Sequence, residues 1–148
     1  SVSALSSRRS AISLRSRLAM YAAYRLRNAP QSLADRWIVV DKENAISAYL
    51  RWPYEARAEH IVVTVNRPSG LRELVLSGAG TAVLPCFIGD ADARLVREGA
   101  EIDELRHPQW LVMNNEDRHR RDIRTVADRM VRLIKQHSDL YAGRGVPD

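Results

Sequence analysis

One cysteine and four histidines are the residues of this chain with the most chemical potential. Cys86 follows Pro85 at a predicted helix start, where the positive end of the helix dipole lowers a thiol's pKa. A nucleophile also needs an oriented base beside it, and nothing near Cys86 in the sequence offers one. The residue reads better as a small buried hydrophobe. His60, His107, His119 and His137 share no metal-ligand spacing. His137 lies on the apolar stripe of a predicted helix, where it reads as a satisfied core residue. Asp90 and Asp92 sit close together in Gly89-Asp90-Ala91-Asp92-Ala93, which is ordinary turn chemistry rather than an acid pair. Gly78-Ala79-Gly80 is too short for a dinucleotide fingerprint, and no phosphate-loop pattern occurs. No catalytic residue, metal ligand or cofactor is assigned on this reading.

What the sequence does offer is two helix starts, each of which reads either as ordinary capping and turn chemistry or as a place for a ligand. Asn66-Arg67-Pro68-Ser69 is a turn leading into a helix, with Ser69 placed to cap it. Pro85-Cys86-Phe87 opens a second helix, with Pro85 at its first position. Unpaired N–H groups and the helix dipole favour a carboxylate at such places, and Arg67 can add a charge-assisted bond.

The elements that position these turns lie between His60 and Asp90. Ile61–Val65 is β-branched throughout and reads as a strand. Leu71, Leu74 and Val75 share one face of the helix that follows, with Arg72 and Glu73 opposite. Gly78 suits the left-handed position just past a helix end. Residues 81–84 are short, apolar and bounded, as in a buried parallel strand. Strand, helix and strand at this spacing make a right-handed crossover, which brings both helix starts to the carboxyl edge of an open sheet.

Around this unit, residues 17–24 read as a strand, with helix as a rival because alanine favours it. Residues 37–41 are a further strand. Residues 43–52 suggest a short helix burying Ile46, Tyr49 and Leu50 and ended by Pro53. Residues 93–97 are briefly extended, and 109–113 form another strand. Residues 118–140 hold the clearest periodicity: Ile123, Val126, Ala127, Met130, Leu133, Ile134 and His137 form a stripe opposite Arg121, Arg124, Asp128, Arg132 and Lys135. The alternation of strands and helices predicts an α/β, three-layer arrangement.

The bulk numbers are those of one globular domain: 148 residues, 45% hydrophobic and 28% charged. No apolar run is long enough for a membrane helix, and residues 1–16 lack the apolar core of a signal peptide. A lone cysteine gives no disulfide framework, which suggests a cytoplasmic setting. The net charge of +5 permits nucleic-acid binding. The arginines are scattered among acids, however, apart from clusters at residues 8–17 and 118–124, and no aromatic residues interleave with them. A small basic nucleic-acid-binding α/β module is therefore the alternative reading, and a Cys86-dependent enzyme a weaker one.

Gly78-Ala79-Gly80-Thr81-Ala82-Val83-Leu84-Pro85, preceded by its helix, resembles the turn, strand and helix found in the effector-binding domain of LysR-type transcriptional regulators. Asp90 with Leu95-Val96, then Trp110-Leu111-Val112-Met113 with Asp117-Arg118, and finally Arg124-Thr125-Val126-Ala127-Asp128, follow in the order that family uses. Upstream, residues 18–26 and Trp37-Ile38-Val39-Val40-Asp41 resemble two earlier pieces. The resemblance implies a Rossmann-like lobe of a type 2 periplasmic-binding-protein-like fold with a mixed, mostly parallel sheet. It implies that residues 17–113 form the second lobe of a two-lobed sensor and that 118–140 are a returning C-terminal helix. Residues 1–16 would be a loose arm or a remnant of the first lobe, and 141–148 a disordered tail. The function implied is effector sensing: a small organic anion held by Asn66, Arg67, Pro68, Ser69, Pro85, Cys86 and Phe87. Partners would be a second copy or other regulator chains, with DNA reached only through a helix-turn-helix that this sequence does not contain.

Overall fold

The computed structural model describes residues 9–144. The chain enters along a long strand, β1 (Arg9–Ala19), breaks at Met20 and continues as β2 (Tyr21–Leu26). Two parallel units follow: β3 (Trp37–Val40) leads to α1 (Ala48–Ala56), and β4 (Ile61–Val65) leads to α2 (Pro68–Leu76). Then come β5 (Ala82–Pro85), the four-residue α3 (Cys86–Gly89) and β6 (Leu95–Arg97). The chain returns along β7 (His107–Asn114) and closes with α4 (Arg121–Gln136) and α5 (Ser138–Tyr141).

β3 pairs parallel with β4. A parallel bridge between Trp37 and Thr81 sets β5 on its other side, where Thr81 N–H donates to Arg36 O at 2.7 Å and Ile38 N–H to Thr81 O at 2.8 Å. β2 then runs antiparallel to β5 and to β6. The strand order across this body is β4-β3-β5-β2-β6. β1 and β7 form a separate antiparallel ribbon. Within this body β3 pairs parallel with β4 and, through the bridge, with β5, whereas both ladders of β2 are antiparallel. The cause is the entry point of β2. Tyr21 starts opposite Pro85, so β2 must run against β5.

Alternation along the strands divides the core. Ala22, Tyr24, Ile38, Val40, Ala82 and Leu84 belong to one buried cluster, closed by Leu71 and Val75 of α2. Ala23, Tyr21, Trp37, Val83 and Leu105 belong to another, against which Tyr49 and Trp52 of α1 pack. Sinking Leu71 and Val75 stabilises the fold by about 1.5–3 kcal/mol each.

Several local expectations are corrected. Residues 9–16, expected as a loose arm or a remnant of the first lobe, are not loose but part of strand β1, paired with β7 from Arg9 opposite Asn114 onward; residues 1–8 lie outside the described residues. α1 begins at Ala48 and contains Pro53 rather than ending at it. Pro53 is at the sixth position of a nine-residue helix and is itself buried, and Ile46, expected inside, is exposed. α2 begins at Pro68 with Arg67 in the capping position, so Ser69 lies within the first turn and caps nothing. Pro85 is the last residue of β5 and precedes α3 as its cap. His137 ends α4 on the surface, with Nδ1 2.9 Å from Leu133 O. Residues 141–144, expected in a disordered tail, complete α5 and a turn in which Gly143 N–H donates to Leu140 O; residues 145–148 lie outside the described residues.

Candidate functional site

α1, α2 and α3 follow β3, β4 and β5 in the chain, so their N-termini lie toward one edge of the sheet. At the α2 start, Asn66, Arg67, Pro68 and Ser69 are all exposed. Pro68 has no N–H and its fixed φ suits a first helical position. No side chain caps the helix, and among the described residues no carboxylate pairs with Arg67. The turn therefore presents an open, positively polarised surface.

Pro85, Cys86 and Phe87 are placed differently. Cys86 is fully buried and its N–H donates to Met20 O at 2.9 Å. Burial pushes its thiol pKa up, against the smaller opposing effect of a hydrogen bond from the Tyr24 hydroxyl. Phe87 packs on Tyr141, with ring centroids 5.2 Å apart. The C-terminal segment thus covers α3, and this helix has no free N–H group at Cys86 to offer a ligand. The two turns named from the sequence stand at the same edge, but β3 separates their strands.

Beside α3 lies a set of contacts that the sequence does not reveal. Tyr24 OH donates to Asp90 Oδ1 at 2.7 Å. Arg97 Nε donates to the same oxygen at 3.0 Å, Nη1 donates to Glu101 at 3.1 Å, and Nη2 reaches Asp90 and Gly143 O. Asp90, read as a turn residue, is therefore the acceptor that joins Tyr24 of β2 to Arg97 of β6, and Arg97 carries the link on to the C-terminal segment. Burial and the hydrogen bond to Asp90 raise the Tyr24 pKa far above its ordinary value. Asp92 receives Arg72 and Arg94 instead, and the hydrogen bond from Arg94 holds its carboxyl well below the usual range. No single-sequence signal pairs these arginines with their carboxylates.

The third helix start, that of α1, borders a recess of about 350 Å³ between Ser47, Tyr49, Arg106 and His107. Ser47 occupies the capping position without a side-chain bond. Tyr21 stacks on Tyr49 at 4.6 Å and on His107 at 5.6 Å, giving the recess an aromatic floor. Sequence reasoning missed this place because Tyr21, Tyr49 and His107 come from three distant elements. Among the described residues, no group of three His, Cys, Asp or Glu side chains is placed to hold a metal ion. No helix there is long and apolar enough to cross a membrane.

No family model and no curated protein sequence matches the chain, but solved structures do. The regulatory domain of MexT, a transcriptional activator in Pseudomonas aeruginosa, matches with a TM-score of 0.60 at 15% identity, over 88% of this chain and 68% of that one. The regulatory domain of CrgA, a LysR-type transcriptional regulator from Neisseria meningitidis, matches with a TM-score of 0.58 at 21% identity, over 86% and 69%. The fold is that of a LysR-type regulatory domain. A bromide-bound regulatory domain of HypT from Salmonella typhimurium is also similar, with a TM-score of 0.56 at 15% identity, over 88% and 66%. These are regulatory domains, not enzymes. Within the regulatory-domain fold, the motif from Gly78 to Pro85 takes the form its resemblance implied. Gly78 has φ 80° just past α2, residues 82–85 are a strand, and α3 follows.

Proposed function

We propose that this chain is the effector-sensing portion of a cytoplasmic LysR-type transcriptional regulator and binds a small organic anion at the start of α2. It is the second of two lobes, followed by the returning C-terminal helix. The observation that carries the binding reading is the uncapped α2 start with Arg67 in the capping position and no acidic partner among the described residues. An anion there gains the helix dipole, the free Ser69 N–H and a guanidinium together. HypT, whose fold is shared, has been obtained with bromide bound. Asn66 and Ser69 flank the anion; Pro85, Cys86 and Phe87 shape the same edge from behind, as a wall rather than as donors. Regulation follows from differential affinity: the effector shifts whichever arrangement of regulator chains holds this edge in its binding form.

The test is a thermal-shift screen against small organic acids, followed by titration of any hit against Arg67→Gln. A hit at 100 times its Kd stabilises the fold by about 2.7 kcal/mol. Arg67→Gln is expected to weaken binding by about tenfold or more, as for loss of a charge-assisted pair. A hit that Arg67→Gln leaves unchanged would place the effector elsewhere.

A further inference from the structure

A second recess lies away from the edge just described, where the end of α1 faces the loop after β6. Its volume is about 550 Å³, the size of a ligand with one or two rings. Ala23 and the buried Trp37 back it from the sheet, Trp52 lines it from α1 and Arg57 from the cap that ends this helix, and Gly99 and Ala100 line it from the loop. Trp37 and Trp52 stand 6.0 Å apart, tilted by 50°. The Arg57 guanidinium lies 5.5 Å from one ring centre and 5.4 Å from the other.

Three carboxylates also line this recess, and each already holds a donor. Glu98 receives Arg25, Glu104 receives the Trp52 indole N–H, and Asp103 receives Arg106 at 3.1 Å. Arg57 is the charge left over. Its Nη1 donates to Ala56 O at 2.8 Å, and no carboxylate among the described residues pairs with it. The loop adds further donors. Glu98 N–H and Ile102 N–H bond to Ala23 O and Tyr21 O, each at 2.8 Å, while the N–H groups of Gly99 and Ala100 between them have no acceptor among the described residues. Gly99 has φ 104° and open space where a Cβ would stand. The cation–π place over the two indoles is already filled by Arg57, so a ligand ammonium group has no comparable seat.

We propose that this recess binds a small aromatic carboxylate, its ring against Trp52 and its carboxylate on Arg57 and the Gly99–Ala100 amides. It is a second ligand site, independent of the α2 turn. The planar guanidinium suits a carboxylate bidentately while its face remains on the indoles. The partly exposed Trp52 indole supplies apolar contact that a lone surface arginine lacks.

Titration of the protein with benzoate, read by tryptophan fluorescence and by amide chemical shifts, tests this. The expected result is saturable binding that moves the Gly99 and Ala100 amides. Arg57→Gln should weaken it by about tenfold or more, while Arg67→Gln leaves it unchanged. Arg57→Lys, which keeps the charge but not the fork, should recover it only in part. An unchanged melting temperature in Arg57→Gln separates lost binding from lost fold. Three outcomes overturn the proposal: benzoate binding lost in Arg67→Gln but kept in Arg57→Gln, benzylamine binding in preference to benzoate, or no saturation by benzoate in the millimolar range. The first of these would leave the effector reading of the α2 turn standing.

Discussion

Cys86 and Asp90 exchange the roles that their neighbours in sequence suggest. A cysteine after a proline at a helix start looks activated, yet α3 has only four residues and the C-terminal segment lies over it. Burial therefore dominates, and the neutral thiol is favoured. Alkylation by iodoacetamide is expected to be negligible in the folded protein and rapid in urea; fast reaction of the native state at neutral pH would mean that the segment opens. Asp90 looks like a turn residue, yet its side chain is 12% exposed and is held by Arg97 and Tyr24. The buried character of Cys86 was legible from residue type. The role of Asp90 was not, because Tyr24 stands 66 positions away.

Among the elements, the turn from α2 into β5 is the tightest. A Cβ on Gly80 would lie 2.2 Å from Arg36 O, the same oxygen that accepts from Thr81 N–H and joins β3 to β5. Gly80→Ala must push these strands apart and is expected to cost about 1–3 kcal/mol or more. Gly99→Ala, with open space around it, meets only the penalty of its positive φ and should cost less. Urea unfolding of the two variants checks the order. Glycine and proline punctuation made β5 and the end of α2 readable in advance. It misled at Pro53, which reads as a stop yet is tolerated within α1, and at Ser69, because Pro68 claims the first helical position. β1 was missed because its serines and arginines form no apolar pattern; pairing with β7 makes it a strand.

For the whole molecule, α4 and the ribbon each leave large apolar side chains open. Val126, Met130 and Leu133 are 58%, 42% and 46% exposed, and Trp110 and Val112 of β7 are also open. The exposed stripe on α4 marks an association surface, and we propose that a second copy of the chain covers it. Sedimentation velocity should show a concentration-dependent dimer that Leu133→Lys weakens without lowering the melting temperature. A monomer at every concentration would count against it. The sequence by itself determined where strands and helices lie in the central unit, the amphipathic form of α4 and the resemblance to a regulator fold. All of these rest on local periodicity and on residues that punctuate the backbone. Only the tertiary structure decided the order β4-β3-β5-β2-β6, the antiparallel run of β2, the closing of α3 by the C-terminal segment, and which arginines stay unpaired. These depend on contacts between residues far apart in the chain, and such contacts are set by how faces pack rather than by the pattern of any one stretch.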